Sequence, residues 1–213
     1  MKQAGIPNDK NVYVDGGIIR TDPSKKQITL VFTAADKADG ADAIISTLKK
    51  HGIKGGFFFT GEFYELYPDV VKRLLDEGHF VGSHSYGHLL YMPWEDRDSL
   101  LVTREEFEND MMKSYETLRK ASIEYKDAPV YIPPYEYYNK EISAWAKNMG
   151  IQVINIPWYH EQCRLHHSGH GTEVPEQQIH LQQDYGGGKE RRSERTPNAD
   201  TLRNGRPPHR QVL

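Results

Sequence analysis

Residues 78–88 read Gly-His-Phe-Val-Gly-Ser-His-Ser-Tyr-Gly-His, and this stretch decides how the rest of the chain is interpreted. Its apolar start predicts a buried strand, and two histidines, His84 and His88, follow four positions apart. If the segment turns helically after the strand, both imidazoles fall on one face and can bind one metal ion. The zinc-protease pattern needs a Glu directly after the first His; Ser85 stands there, which excludes that class. The alternative is two surface histidines in a turn.

The composition sets the limits of the interpretation. The chain has 213 residues, enough for one domain with a sizeable core, and its net charge of -3 gives no nucleic-acid footprint. Its single cysteine, Cys163, cannot form an intrachain disulfide. No apolar run is long enough to predict a transmembrane segment, and the first residues lack the apolar centre of a signal peptide.

The pattern along the chain predicts an α/β fold. Compact apolar runs predict five core strands, at residues 27–32, 55–60, 80–83, 128–132 and 151–156. Apolar residues at helical spacing lie between them, and the predicted helix starts are Asp39-Gly40, Tyr67-Pro68, a capping box at Thr103, and Asn139. Alternating strands and helices indicate parallel strands with helices outside, and sites in such folds lie at the carboxyl ends of the strands.

The order of these segments resembles the polysaccharide deacetylase family, also known as the NodB homology domain or carbohydrate esterase family 4. The resemblance runs from about Val14 to Pro157, and residues 84–88 match the family's metal motif, His-Ser/Thr-x-x-His, in full. It implies an irregular (β/α) barrel of seven or eight strands. Because about five strands are present, we expect an incomplete barrel that is open beside residues 151–156. The expected organisation is a lead-in at 1–26, the deacetylase-like domain at 27–158, and a non-native or disordered tail at 159–213.

The resemblance also implies a chemistry. Family members hydrolyse acetyl groups on carbohydrate polymers with a divalent metal, usually zinc, and they usually work outside the cytoplasm. Carried over residue by residue, His84 and His88 become metal ligands, and the backbone N–H of Tyr135 becomes an oxyanion donor. Asp36 is the available carboxylate for a third ligand and for the catalytic base. The expected substrate-binding side chains are those of Tyr135, Trp94 and Trp158.

Several positions depart from the family pattern. Thr33 and Ala34 stand where the family's Thr-Phe-Asp-Asp-Gly motif has its two aspartates. Against the Thr-Gly-His-Glu pattern of a close subgroup, Ala35 replaces the His and Asp36 the Glu, and Ile132 replaces the Arg that orients the base. We therefore expect impaired turnover. The alternatives are a non-catalytic carbohydrate-binding pseudoenzyme and a non-functional gene product.

The sequence changes character after Trp158. Both the helical and the strand periods disappear, and six of the ten histidines lie from His160 onward. These could form a second metal site, but their spacing is irregular. A reading-frame slip is the preferred explanation: codons can be chosen for residues 160–171 and 195–206 that, read one base later, resemble the family's next segment and its last strand. A truly divergent tail is the alternative.

Overall fold

A five-stranded parallel sheet is the centre of the fold in the computed structural model, which describes residues 8–156. Its strands are β3 (Val31–Ala34), β4 (Gly56–Phe59), β5 (Phe80–Ser83), β6 (Val130–Tyr131) and β7 (Gln152–Val153). They pair in chain order, and every pair is parallel. Two further strands, β1 (Val12–Val14) and β2 (Gly17–Arg20), form an antiparallel hairpin ahead of the sheet.

Helices connect the strands, as parallel pairing requires. They are α1 (Ala41–Lys50), α2 (Gly61–Leu66), α3 (Pro68–Asp76), α4 (Arg104–Lys120) and α5 (Lys140–Asn148), with short 3-10 helices at Tyr125–Asp127 and Pro134–Glu136. The predicted parallel α/β class is confirmed. The segment α2 was not predicted, because six residues are too few to show a helical period.

Local signals place three of the helix starts. Pro68 occupies the first turn of α3, where its missing N–H costs nothing, and the predicted capping box of Thr103 and Glu106 begins α4. The Asn139 side chain accepts the N–H of Ile142 at 3.0 Å at the start of α5. Helix α1 begins at Ala41, directly after the predicted start at Asp39-Gly40, but Gly40 occupies the capping position and no side chain caps the helix.

The sheet separates two apolar layers. All four residues of β4 are buried, and side chains alternate across a strand, so Phe57 and Phe59 pack with the helices in the main cluster. Phe58 points to the other face and packs with Val130 and Ile132. An apolar cluster on the face away from the helices is what a curved, barrel-like sheet requires.

Two edges of the sheet differ from the prediction. The first strand begins at Val31 rather than at residue 27, because β3 has β4 as its sheet neighbour and the pairing starts at Val31; Ile28 is 90% exposed. The edge beside β7 is not left fully open. Ile18 of β2 bridges to Ile154, and the N–H of Asn155 donates to the carbonyl of Ile18 at 2.8 Å.

Some predictions fall outside the described residues. These are the tail at 159–213 with its frame slip, the histidine-rich stretch from His160, and the substrate-binding role of Trp158. Within residues 8–156 no helix is long and apolar enough to cross a membrane.

Candidate metal centre

The carboxyl ends of β3, β5 and β6 bring the candidate residues to one edge of the sheet. His84 follows β5 directly, Thr33 and Ala34 end β3, and Tyr135 lies four residues beyond β6. This is the edge at which parallel α/β folds place their sites. The predicted location is therefore supported by the topology.

The segment between the two histidines is a strained turn and not the helical turn considered from the sequence. Ser85 and His88 both adopt left-handed backbone angles, with φ of 67° and 51°. The Ser85 Oγ accepts the N–H of His88 at 3.0 Å, which closes the turn. Left-handed non-glycine residues are uncommon and tend to occur at functional sites.

This turn brings the two imidazoles together. The Nε2 atoms of His84 and His88 lie 3.2 Å apart, and the ring centroids lie 4.9 Å apart. The Nδ1 of His84 lies 2.8 Å from the carbonyl oxygen of Ile132. Because a carbonyl only accepts, Nδ1 carries the hydrogen and Nε2 presents a lone pair to His88. The predicted convergence of the two side chains is confirmed.

Burial disfavours the protonated form of both imidazoles. Burial lowers the pKa of His84 to about 3, with a further contribution from His88, and the hydrogen bond to the Ile132 carbonyl opposes this. Burial also lowers the pKa of His88, while the charges of Asp110 and Asp36 oppose the shift. Neutral imidazole is the form that binds a metal ion.

The geometry of the pair fits a divalent cation. Tetrahedral zinc with Zn–N bonds of ~2.0–2.1 Å places two nitrogen ligands roughly 3.3 Å apart. The observed 3.2 Å between the two Nε2 atoms matches that spacing, and the bond to Ile132 is the outer support typical of a ligating histidine. The spacing of the pair is therefore compatible with two nitrogen ligands of one zinc ion.

The role of Asp36 as third ligand and base remains a prediction. Its side chain is exposed, its carbonyl accepts the Tyr67 hydroxyl at 3.1 Å, and its charge raises the pKa of His88. Between residues 8 and 156, no group of three His, Cys, Asp or Glu side chains is arranged to hold an ion. Asp is one methylene shorter than the Glu of the subgroup pattern, which limits its reach.

Aromatic side chains line one side of the pair. The Tyr135 ring packs edge-on against His88, with centroids 4.4 Å apart, and Trp94 lies 5.5 Å from Tyr135. Trp94 also stacks on Tyr137 at 5.0 Å, and the guanidinium of Arg97 lies over the Tyr137 ring. Trp94 is 48% exposed and Tyr135 is 37% exposed, so these two rings present apolar surface to solvent.

Glu136 is a candidate functional residue that the sequence reasoning missed. Burial raises the pKa of its carboxyl group to about 7, and a hydrogen bond with the Thr33 side chain opposes the shift. Thr33 is the last but one residue of β3, whereas Glu136 follows β6, which lies three strands away in the sheet. In a flat sheet the ends of these two strands would lie roughly 14 Å apart. Glu136 therefore reaches across the strand ends. The sequence shows a carboxylate two positions after Pro133-Pro134 but gives no local sign of its burial.

The sequence matches known proteins over the same segment. Residues 20–154 match the sequence model of the family described as polysaccharide deacetylase. A peptidoglycan-N-acetylglucosamine deacetylase of Bacillus cereus is 29% identical over 132 residues, 62% of this chain and 44% of its own. The peptidoglycan-N-acetylmuramic acid deacetylase PdaA of Bacillus subtilis is 28% identical over 131 residues, 61% of this chain and 46% of its own. The chain thus spans less than half the length of these relatives.

Solved structures share the fold. A family 4 carbohydrate esterase from Bacillus anthracis aligns with a TM-score of 0.58 at 26% identity, over 66% of this chain and 63% of its own. A family 4 pseudoenzyme from the same organism aligns with a TM-score of 0.57 over 67% of this chain and 47% of its own; its 23% identity shows the fold alone. Because the family match covers more than half of the sequence, the chain belongs to the polysaccharide deacetylase family.

Proposed function

We propose that this chain is a metal-dependent hydrolase of the deacetylase type, acting on acetyl groups of an amino-sugar polymer, with impaired turnover. The observation that carries the proposal is the pair of neutral imidazoles whose Nε2 atoms lie 3.2 Å apart. The named relatives are peptidoglycan deacetylases, which supports a carbohydrate polymer as the substrate class. The names of these relatives also support an extracytoplasmic site of action, where peptidoglycan lies.

The proposed cofactor is a divalent ion, with zinc as the first choice. Two imidazoles from one turn suit zinc better than magnesium or calcium, which prefer oxygen ligands. His84 and His88 would hold the ion, and Asp36 remains the candidate for a third ligand. When bound, such an ion lowers the pKa of a coordinated water and polarises a carbonyl oxygen.

The aromatic side chains form the proposed sugar-binding surface. Tyr135 packs against His88, Trp94 packs against Tyr135, and both aromatic rings are partly exposed. The apolar face of a sugar ring can pack on such rings, whose π faces attract the positive edges of C–H groups. We propose that they position an acetylated sugar beside the histidine pair.

The side chains that would transfer protons are the least complete part of the proposed site. Thr33 and Ala34 occupy the positions of the family's two aspartates, and Ile132 that of the orienting arginine. We propose that Glu136 partly substitutes, because its carboxyl group is buried at this edge and its pKa of about 7 suits proton exchange at neutral pH. Each general acid–base step contributes on the order of 10²–10⁴-fold, so the missing groups predict slow turnover.

A second candidate function is non-catalytic carbohydrate binding. It is favoured by the same uncharged residues at positions 33, 34 and 132, together with the exposed Trp94 and Tyr135. A binding module needs the aromatic surface but neither the metal nor Glu136. A non-functional gene product would show neither activity nor binding.

Acetate release from acetylated chitooligosaccharide discriminates these functions. The zinc-loaded protein should release acetate slowly, and His84→Ala should abolish the release. His51→Ala, which replaces an exposed histidine at the end of α1, is the matched control. No zinc-dependent release, together with oligosaccharide binding that Trp94→Ala weakens, would favour the binding module instead.

A further inference from the structure

Helix α4 holds the turn that carries the two histidines. Asp110 and Ser114 lie four positions apart on α4 and therefore share one of its faces. Ser114 Oγ lies 2.8 Å from Ser83 Oγ, which in turn accepts the N–H of Ser85 at 3.0 Å. From the same helix, the Lys113 ammonium lies 3.8 Å from the centre of the Tyr86 ring.

Asp110 makes the most specific of these contacts. Its Oδ2 accepts the N–H of Tyr86 at 2.9 Å, and its Oδ1 accepts the N–H of Gly87 at 2.8 Å. Both carboxylate oxygens thus bind successive backbone donors in the middle of the His84–His88 segment. Charge-assisted hydrogen bonds of this kind are stronger than those between neutral groups.

The turn needs such support because its backbone is strained. Ser85 and His88 flank the two donors, and both are left-handed non-glycine residues. A strained turn persists only where the surroundings determine it. On the other side, the N–H of Gly61 contacts the carbonyls of Ser85 and Tyr86 at 3.1 and 3.2 Å, so α4 and the start of α2 hold the turn between them.

The approach between Asp110 and the turn is close. A Cβ atom at Gly87 would lie 3.1 Å from Asp110 Oδ1, which is tighter than ordinary contact. The carboxylate therefore fixes the path of the chain immediately before His88. A shift of this path would move the His88 imidazole relative to His84, which is anchored separately to Ile132.

We propose that Asp110 is a positioning residue that holds the His88 imidazole against His84 and so sets the affinity of the pair for a divalent cation. The inference deepens the proposed function, since it rests on a metal site at His84 and His88. Asp110 binds backbone donors of the turn and acts on the ion only through the position of His88. Groups that orient metal ligands typically contribute 10–100-fold to metal affinity.

The test compares Asp110→Ala and Asp110→Asn with Glu116→Gln, which changes an exposed carboxylate on the same helix. Zinc affinity is measured by competition with a chromophoric chelator. Asp110→Ala should weaken zinc binding at least tenfold. Asp110→Asn, which keeps one acceptor but turns an amide group toward the second N–H, should weaken it less. Glu116→Gln should match the unaltered chain, and equal zinc affinity in all four proteins would overturn the proposal.

A second measurement on the metal-free proteins separates this inference from the metal site itself. Amide hydrogen exchange at Tyr86 and Gly87 should accelerate in Asp110→Ala, and nuclear Overhauser contacts between the His84 and His88 rings should weaken. If the unaltered chain binds no zinc, the proposed function fails, while these changes would still support Asp110 as the group that positions His88. Unchanged exchange and ring contacts would overturn the inference, and the milder Asp110→Asn reports the same signals if Asp110→Ala does not fold.

Discussion

Acidification of the metal-free protein tests the burial of His84. The residue is 2% exposed, and burial together with the neighbouring His88 lowers its pKa to about 3. In an unfolded chain the same imidazole has a pKa of ~6.5. Between these two values the unfolded chain binds a proton that the folded chain does not. The contribution of neutral His84 to the free energy of unfolding is therefore fully present above pH ~6.5. It is lost as the pH falls toward the pKa of His84 in the folded chain.

The size of this loss follows from the two pKa values. Between pH 7.5 and pH 5.0, His84 alone should lower the free energy of unfolding by about 2 kcal/mol. The result requires only that the folded pKa lies well below 5. His88 and His79, whose pKa values are also lowered by burial, add losses of the same sign. For a urea m-value of about 2 kcal/mol/M, the His84 contribution moves the midpoint by about 1 M.

Urea unfolding measures this effect in buffers that contain a chelator, at pH 7.5, 6.5, 5.5 and 5.0. His84→Gln keeps an amide that can donate to the Ile132 carbonyl but removes the titrating ring. It should lose about 2 kcal/mol less than the unaltered chain over this range. The control His51→Gln, at an exposed position, should retain the original pH dependence. Equal pH dependence in the unaltered chain and His84→Gln would refute the reasoning.

Three further changes test other parts of the structure. Gly61→Ala should cost about 1–3 kcal/mol in thermal unfolding, because a Cβ there would lie 1.9 Å from the Tyr86 ring; an unchanged melting temperature would contradict the packing. Thr103→Ala should cost about 1 kcal/mol in urea unfolding, since it removes the cap of α4, and no loss would argue against the capping box. Glu136→Gln should lower acetate release by about 10²–10⁴-fold and flatten its pH profile near pH 7; an unchanged profile would exclude Glu136 from proton transfer.

Local signals in the sequence were enough to predict most of the framework. The strand–helix alternation predicted the parallel sheet, and Thr103, Asn139 and Pro68 begin their helices as expected. These signals work because capping and proline geometry depend on only a few neighbouring residues. Helix α1 also begins directly after the predicted Asp39-Gly40, although no side chain caps it.

Features that depend on distant contacts were not predictable. The hairpin strand β2 covers part of the edge beside β7 through Ile18 and Asn155, which lie 137 positions apart. The raised pKa of Glu136 arises from burial at the strand ends, which no local pattern encodes. Strand ends were equally hard to predict, because the start of β3 depends on where β4 begins.

The candidate site was predicted in part. The spacing of His84 and His88 indicated that the rings could meet, and they do, although through left-handed residues and not a helical turn. The supporting carboxylate of Asp110 lies 22 positions beyond His88, on α4, so the sequence around the two histidines gives no sign of it. The roles of Asp36 and Tyr135 remain predictions.

Zinc binding at pH 7.5 tests most directly whether His84 and His88 share one ion. Competition with a chromophoric chelator should show one zinc per chain that is lost in both His84→Ala and His88→Ala and retained in the exposed control His51→Ala. The affinity should be modest, because no third His, Cys, Asp or Glu among the described residues is arranged to join the pair around an ion. No zinc binding by the unaltered chain, or binding that survives both substitutions, would contradict a metal centre at this pair.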